Sequence, residues 1–232
     1  MSSRRRTLEY ALPALAIVAL AGLVGARATR RDAGVRALET RSTTADTIAR
    51  GRYLVISHDC GGCHGGGSDP ATAGWLAGET DPVMQFMIGP CYLKPDAKPC
   101  FHTHPRNLTP DNETGIGRFT ERQIFNALRY GLRPEDTPDV TIAGTTPGQG
   151  NFPLHPRYLA EPMPWMAWRY LPDDDLWSIA AYLRRAVKPV HNVVAESEGP
   201  PDFWASEYTP VKIGVYPSPA FPTANEQVPT TH

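Results

Sequence analysis

Cys60-Gly61-Gly62-Cys63-His64 is the stretch on which the reading of this chain turns. C-x-x-C-H is the attachment signature of a c-type haem. Two thiols three positions apart each bond one vinyl group of a porphyrin, and His64 then falls under the iron as proximal ligand. Gly61 and Gly62 are expected to keep the turn slim, so that no side chain crowds the ring. A redox dithiol would not need His64, and a zinc ribbon would want a second C-x-x-C, which the sequence lacks. The motif therefore predicts one covalently attached haem c on Cys60 and Cys63.

Working outward, Cys91 and Cys100 remain, in a segment rich in Pro and Gly. Neither stands in a C-x-x-C-H context, so a second haem is excluded, and in an oxidising compartment a disulfide closing this loop is the natural reading. The N-terminus supplies such a compartment. Arg4, Arg5 and Arg6 precede an apolar run from Ala11 to Ala26, the layout of a charged n-region followed by an h-region. The run falls slightly short of the roughly 17–25 residues that span a bilayer. It reads as a cleaved signal or as a retained anchor over residues 8–26. The expected location is the periplasm, free or anchored to the inner membrane. With 232 residues the chain holds one domain plus extensions, and a net charge of −1 leaves no nucleic-acid footprint.

The expected organisation is a signal or anchor at 1–28, a linker at 29–44, a haem domain at 45–190 and a proline-rich tail at 191–232, extended or disordered. A first helix is expected from Asp46 to Ile56, with Ile48, Gly51 and Val55 on one face. Gly51 inside a helix costs about 1 kcal/mol against Ala, which a close helix crossing would explain. Gly65-Gly66-Gly67 reads as a flexible exit from the motif, and prolines forbid long helices over 68–118. The glycines of Thr114-Gly115-Ile116-Gly117 suggest backbone passing close to something flat. A helix from Glu121 to Tyr130 is expected, with Thr120 and Gln123 as a capping box and Gly131 as left-handed stop. After further loops, a last helix carries Asp173, Asp174 and Asp175 in its first turn and Arg184, Arg185 and Lys188 in its last, ending at Pro189.

An iron with one histidine needs a sixth ligand to become a pure electron carrier. Met163 leads, because Pro162 and Pro164 stiffen its loop, and a thioether stabilises Fe(II). Met166 competes from three residues on, and His102, His104, His155 and His191 would each give a bis-histidine site. Arg106 and Asn107 are candidates to bond a haem propionate.

Cys60–His64, Asn107-Leu108-Thr109-Pro110-Asp111, Thr114–Gly117, Pro162-Met163-Pro164-Trp165 and the segment from Asp173 to Leu183 stand in the order seen in one branch of the class I cytochromes c. Over about residues 45–190 the chain resembles the cytochrome subunits of periplasmic alcohol and aldehyde dehydrogenases. The resemblance implies an all-α class I cytochrome c-like fold with terminal helices crossing beside the haem, Gly51 against Tyr182, and Met163 as axial ligand. Those subunits often carry three haems, whereas this chain has one motif. Pro172 stands where a Ser or Thr cap is usual.

The expected function is electron transfer without catalysis, between a dehydrogenase or respiratory donor and an oxidase or another cytochrome. A haem sensor or enzyme with an exchangeable sixth ligand is the alternative. A haem-bearing structural subunit of a membrane complex is a third.

Overall fold

The structure is a computed structural model, and it describes residues 44–79, 86–88, 94, 96–98, 100–160, 162–197, 220 and 222–228. The residues read as an export signal or anchor, nearly all of the stretch read as a linker, Cys91 and most of the tail beyond 197 lie outside the described residues.

The described part is mainly helical. Helix α1 covers 44–57. A single turn, α2, holds Cys60–His64. Two short strands follow, β1 at Phe86–Ile88 and β2 at Phe101–Thr103, paired antiparallel with Met87 opposite His102. Then come α3 at Glu121–Tyr130, α4 at Trp165–Trp168 and α5 at Asp173–Arg185. The ribbon is an addition to the helical fold expected from sequence. Three-residue strands are too short to leave a period-two signal.

Local chemistry fixes the helix ends. Thr120 caps α3 with a complete capping box, its side chain accepting from Gln123 N while the Gln123 side chain accepts from Thr120 N. Gly131 closes the same helix in the left-handed region, at φ 67°. Helix α5 ends at Arg185, earlier than its charge pattern suggests, so Lys188 is not in its last turn. The residue before a proline is pushed out of the helical region, and the chain therefore unwinds ahead of Pro189. Ala186 N and Val187 N both donate to the Tyr182 carbonyl, which satisfies part of the open end. Pro172 precedes α5 without a side-chain cap, and three aspartates in the first turn face the positive end of the dipole instead.

The main core packs α1, α3 and α5 around one apolar cluster that includes Leu54, Val55, Cys60, Leu76, Phe125, Leu176 and Leu183. Gly51 lies where α1 crosses α5. A Cβ there would stand 1.9 Å from the Ser178 carbonyl oxygen and 2.7 Å from Tyr182 Cβ. The glycine is thus explained by the close crossing that the resemblance implied. Arg50 and Asp175 lock the same crossing from outside, with both contacts at 2.8 Å. Arg129, buried on α3, donates to the Arg169 carbonyl and to Asp173, tying α3 to the start of α5.

A second, smaller cluster lies in the stretch read from sequence as loop. Leu132, Ile142 and Phe152 are buried together, with Tyr130 and Tyr158 packed against them. A bridge pairs Leu132 with Tyr158, and Leu159 N donates to the Gly131 carbonyl at 2.7 Å. The segment leading to Met163 is thereby fastened to the end of α3.

Candidate haem-binding site

Asp59, in the left-handed region at φ 52°, turns the chain from α1 into the turn that carries the motif. Cys60 is buried and Cys63 half-buried, three positions apart on α2. Burial, reinforced by the Asp59 carboxylate, pushes the Cys60 thiol up to about 12, and raises Cys63 for the same reasons. Thiols so placed are held neutral, unlike the depressed pair of a dithiol oxidoreductase. A neutral thioether suits the same apolar surroundings.

His64 is half-buried. Its Nδ1 donates to the Arg106 carbonyl at 2.6 Å. Burial lowers the imidazole below its ordinary value, and the bond to the carbonyl opposes that effect. The neutral ring then carries its proton on Nδ1, and Nε2 keeps the lone pair that a metal needs. A ring nitrogen held by a backbone carbonyl is the usual way a ligating histidine is oriented. Two cysteines on one turn and a histidine pre-set in this tautomer fit a covalently bound haem.

The glycines of this region serve the protein backbone. A Cβ on Gly61 would meet the Gly67 carbonyl oxygen at 2.2 Å and Trp75 Nε1 at 2.4 Å. One on Gly62 would meet the Asp59 carboxylate at 2.3 Å. Gly61 and Gly62 thus make room for Trp75 and Asp59. Gly65, Gly66 and Gly67 all adopt positive φ, and the exit is pinned. Leu76 N donates to Gly65 O at 2.9 Å, Gly78 N to His64 O at 2.7 Å, and Trp75 Nε1 to Gly67 O at 3.0 Å. The flexible exit expected from the triple glycine is instead a fixed turn.

Met163 is half-buried and packs against the same core cluster that contains Cys60. Its amide donates to Ala160 O at 2.9 Å, and Trp165 N donates to its carbonyl at 2.8 Å. Trp165 is buried and stacks on Tyr158 at 6.2 Å between ring centroids. It leaves no room for a side chain at Gly131, where a Cβ would stand 2.2 Å from the indole. Met163 is therefore held between a turn on one side and a buried indole on the other. Met166 is half-buried on α4 and, among the described residues, does not pack against that cluster.

The competing histidines have other surroundings. His102 sits in β2, and the backbone amide of His104 donates to Ser197 Oγ at 3.1 Å. His155 and His191 are exposed, His191 with Asp111 and Glu113 at 3.7 and 3.6 Å.

Asn107 is buried, and its amide is used inside the protein. Nδ2 donates to Thr114 Oγ1 at 3.0 Å and to Val190 O at 2.8 Å, while Oδ1 accepts from Thr109 N and Thr109 Oγ1 at 2.9 and 2.7 Å. Arg106 turns its guanidinium to the segment after α5: Nη1 donates to Val194 O at 3.2 Å and Ala195 O at 3.0 Å, and Nη2 pairs with Glu196. Gly115 and Gly117 press against the 109–111 backbone, at 2.2 Å from Thr109 O and 2.4 Å from Pro110 O for an added Cβ. Among the described residues the free cysteines are Cys60 and Cys63. Cys100 is engaged, but Cys91 lies outside the described residues.

Sequence reasoning missed Gly78, Asn192 and Val194, all of which bear on the His64 turn. Trp75, readable from sequence as an apolar residue best suited to ordinary core packing, is buried in the main cluster. Asn192 and Val194 carried no signal, because they follow the last helix in a stretch without periodicity.

No protein-family model matches the chain. Over 160 residues, 67% of its length, the chain is 31% identical to the fructose dehydrogenase cytochrome subunit of Gluconobacter japonicus. Over 143 residues, 62% of its length, it is 29% identical to the cytochrome c subunit of the quinone alcohol dehydrogenase of Gluconobacter oxydans. Over 153 residues, 66% of its length, it is 27% identical to the gluconate 2-dehydrogenase cytochrome c subunit of Pantoea cypripedii. The matches cover 25%, 22% and 26% of those proteins, so the chain spans about a quarter of the length of these relatives. The chain is a relative of the cytochrome c subunits of fructose, alcohol and gluconate dehydrogenases.

Proposed function

We propose that this chain is a single-haem c-type cytochrome that carries electrons and performs no catalysis of its own. Cys60 and Cys63 would hold the porphyrin, His64 would ligate the iron through Nε2, and Met163 would supply the sixth ligand. The haem would provide a one-electron Fe(III)/Fe(II) couple. The protein's part is to fix both axial side chains so that little reorganises when the electron arrives. The observation that carries this reading is the His64–Arg106 bond on a C-x-x-C-H turn, which sets the imidazole in the tautomer that iron requires.

The relatives' names favour a dehydrogenase as electron donor, with another cytochrome or an oxidase downstream. Contacts with such partners would be small and short-lived. The arginine cluster and apolar run before Ala26 support export, with residues 8–26 as a cleaved signal or a retained anchor facing the periplasm. No helix among the described residues is long and apolar enough to cross a membrane. Export would also place Cys91 and Cys100 where a disulfide between them forms.

Mass spectrometry of the full chain, expressed with haem-attachment machinery, tests the assignment. The expected product carries one haem mass per chain after denaturation, and C60A/C63A carries none. A wild-type chain of bare polypeptide mass would overturn it.

A further inference from the structure

Residues 190–197 follow the last helix, where sequence gave no structure, yet they close a circuit around His64. Val190 O accepts from Asn107 Nδ2 at 2.8 Å, and Asn192 Nδ2 donates to Ala77 O, also at 2.8 Å. The next residue after Ala77 is Gly78, whose amide holds the His64 carbonyl at 2.7 Å. Val194 is buried, and its Cγ2 would stand 2.5 Å from a Cβ on Gly78. The same imagined Cβ would lie 2.8 Å from Asn107 N and 3.1 Å from the Arg106 carbonyl carbon. Gly78 is therefore wedged between Val194 and the peptide that presents its oxygen to His64. Farther along, Val194 O and Ala195 O accept from the Arg106 guanidinium, which also pairs with Glu196. Ser197 Oγ accepts from His104 N at 3.1 Å and shares a 3.0 Å hydrogen bond with Thr103 Oγ1.

We infer that residues 190–197 are a proximal strap, and that Arg106 is a positioning residue which couples this strap to the His64 ring. The inference rests on the haem reading above, because orientation of the ring matters when Nε2 holds iron. The backbone carbonyl of Arg106 takes the His64 proton, while its side chain anchors the same residue to the strap. One residue thus transmits the strap's position to the ring. A carbonyl held still from behind keeps the bond short and shields the Nδ1 proton from water. Such a partner behind a ligand sets ligand basicity as well as orientation.

The test uses the full-length holoprotein, reduced and diamagnetic, with histidine ring protons followed by 15N-edited NMR. Exchange of the His64 Nδ1 proton is compared with exchange of the slowest α3 amides in wild type, Arg106→Leu, Arg106→Lys and Val194→Ala. The leucine variant keeps the carbonyl but loses the anchor. The expected result is exchange of the ring proton faster by about tenfold or more in Arg106→Leu while α3 amides change little, as for a local opening. Arg106→Lys, which restores one donor, should fall between. Val194→Ala loosens the wedge at Gly78 and should accelerate the same proton, so the test survives poor folding of the leucine variant. Equal acceleration of ring proton and α3 amides, or no change at the ring, overturns the strap. A wild-type chain without covalent haem overturns the haem reading and the strap with it. Haem present with unchanged ring exchange overturns the strap alone.

Discussion

At the scale of single residues, the site depends on polar groups that spend their hydrogen bonds inside the protein. His64 is oriented by one carbonyl, and Asn107 knots the following loop through four contacts. Asp111 works similarly. Its carboxylate accepts from Thr114 N at 2.7 Å, Thr114 Oγ1 at 2.8 Å and Glu113 N at 3.1 Å, and these bonds, led by those from Thr114, hold it below the ordinary aspartate value. Arg50 does the same for Asp175. Both folded-state values are depressed, so the sign is fixed. Their contribution is present in full above the ordinary aspartate value of about 3.9 and is lost as pH falls through the lower folded values. Acid unfolding followed by far-UV circular dichroism should therefore show a limb below about pH 4 that is shallower in Asp111→Asn and Asp175→Asn. A limb of unchanged steepness in both variants would contradict this assignment. Asp111 was legible as part of a loop pattern. Its bonding was not, because an aspartate in a turn has the same spelling whether it caps its own backbone or faces water.

At the scale of elements, the helices were readable and the connections were not. Thr120, Gln123 and Gly131 specify the ends of α3 through local chemistry, and local chemistry is what a sequence displays. Gly51 made sense through the resemblance, which placed it against Tyr182. The crossing is long-range, but the missing side chain marks it. Gly51→Ala gains about 1 kcal/mol of helix propensity, against overpacking costs of about 1–3 kcal/mol or more. With a backbone oxygen 1.9 Å from the new Cβ, the cost falls at the upper end. A net loss of about 2 kcal/mol is expected in urea denaturation of the holoprotein. A variant as stable as wild type would mean that α1 and α5 cross with more room than described. The triple glycine after the motif shows the opposite case. Glycine runs suggest freedom, yet Gly65–Gly67 use positive φ in a turn whose carbonyls accept from N–H donors eight or more positions ahead in sequence. Only the folded chain brings those partners together. The short β1–β2 ribbon and the 190–197 strap were hidden for the same reason.

At the scale of the whole molecule, the main apolar cluster joins the C-x-x-C-H turn to the Met163 loop. Cys60 belongs to that cluster and Met163 packs against it, although a long stretch of sequence separates them. The intervening chain is not idle filler. Leu132, Ile142 and Phe152 form a small core of their own, and the bonds at Gly131 and Leu159 hand its rigidity on to the loop before Met163. Prolines and glycines had suggested irregular loop there, which is right about the backbone and silent about its packing. The mainly helical character of the fold and the C-x-x-C-H turn were thus legible from sequence, as was Met163 as a candidate. The bracing of His64 and Met163, the two side chains proposed as axial ligands, was not, since it runs through contacts between distant segments.

The central claim is that His64 and Met163 together fill the axial positions of one covalently bound haem. The most direct measurement is the visible spectrum, oxidised and reduced, of wild type and Met163→Ala, each with and without carbon monoxide. A low-spin wild type with an iron–thioether charge-transfer band, indifferent to carbon monoxide, is expected, with the band lost and carbon monoxide bound in the variant. A high-spin wild type that binds carbon monoxide, or a low-spin spectrum unchanged by Met163→Ala, would contradict it.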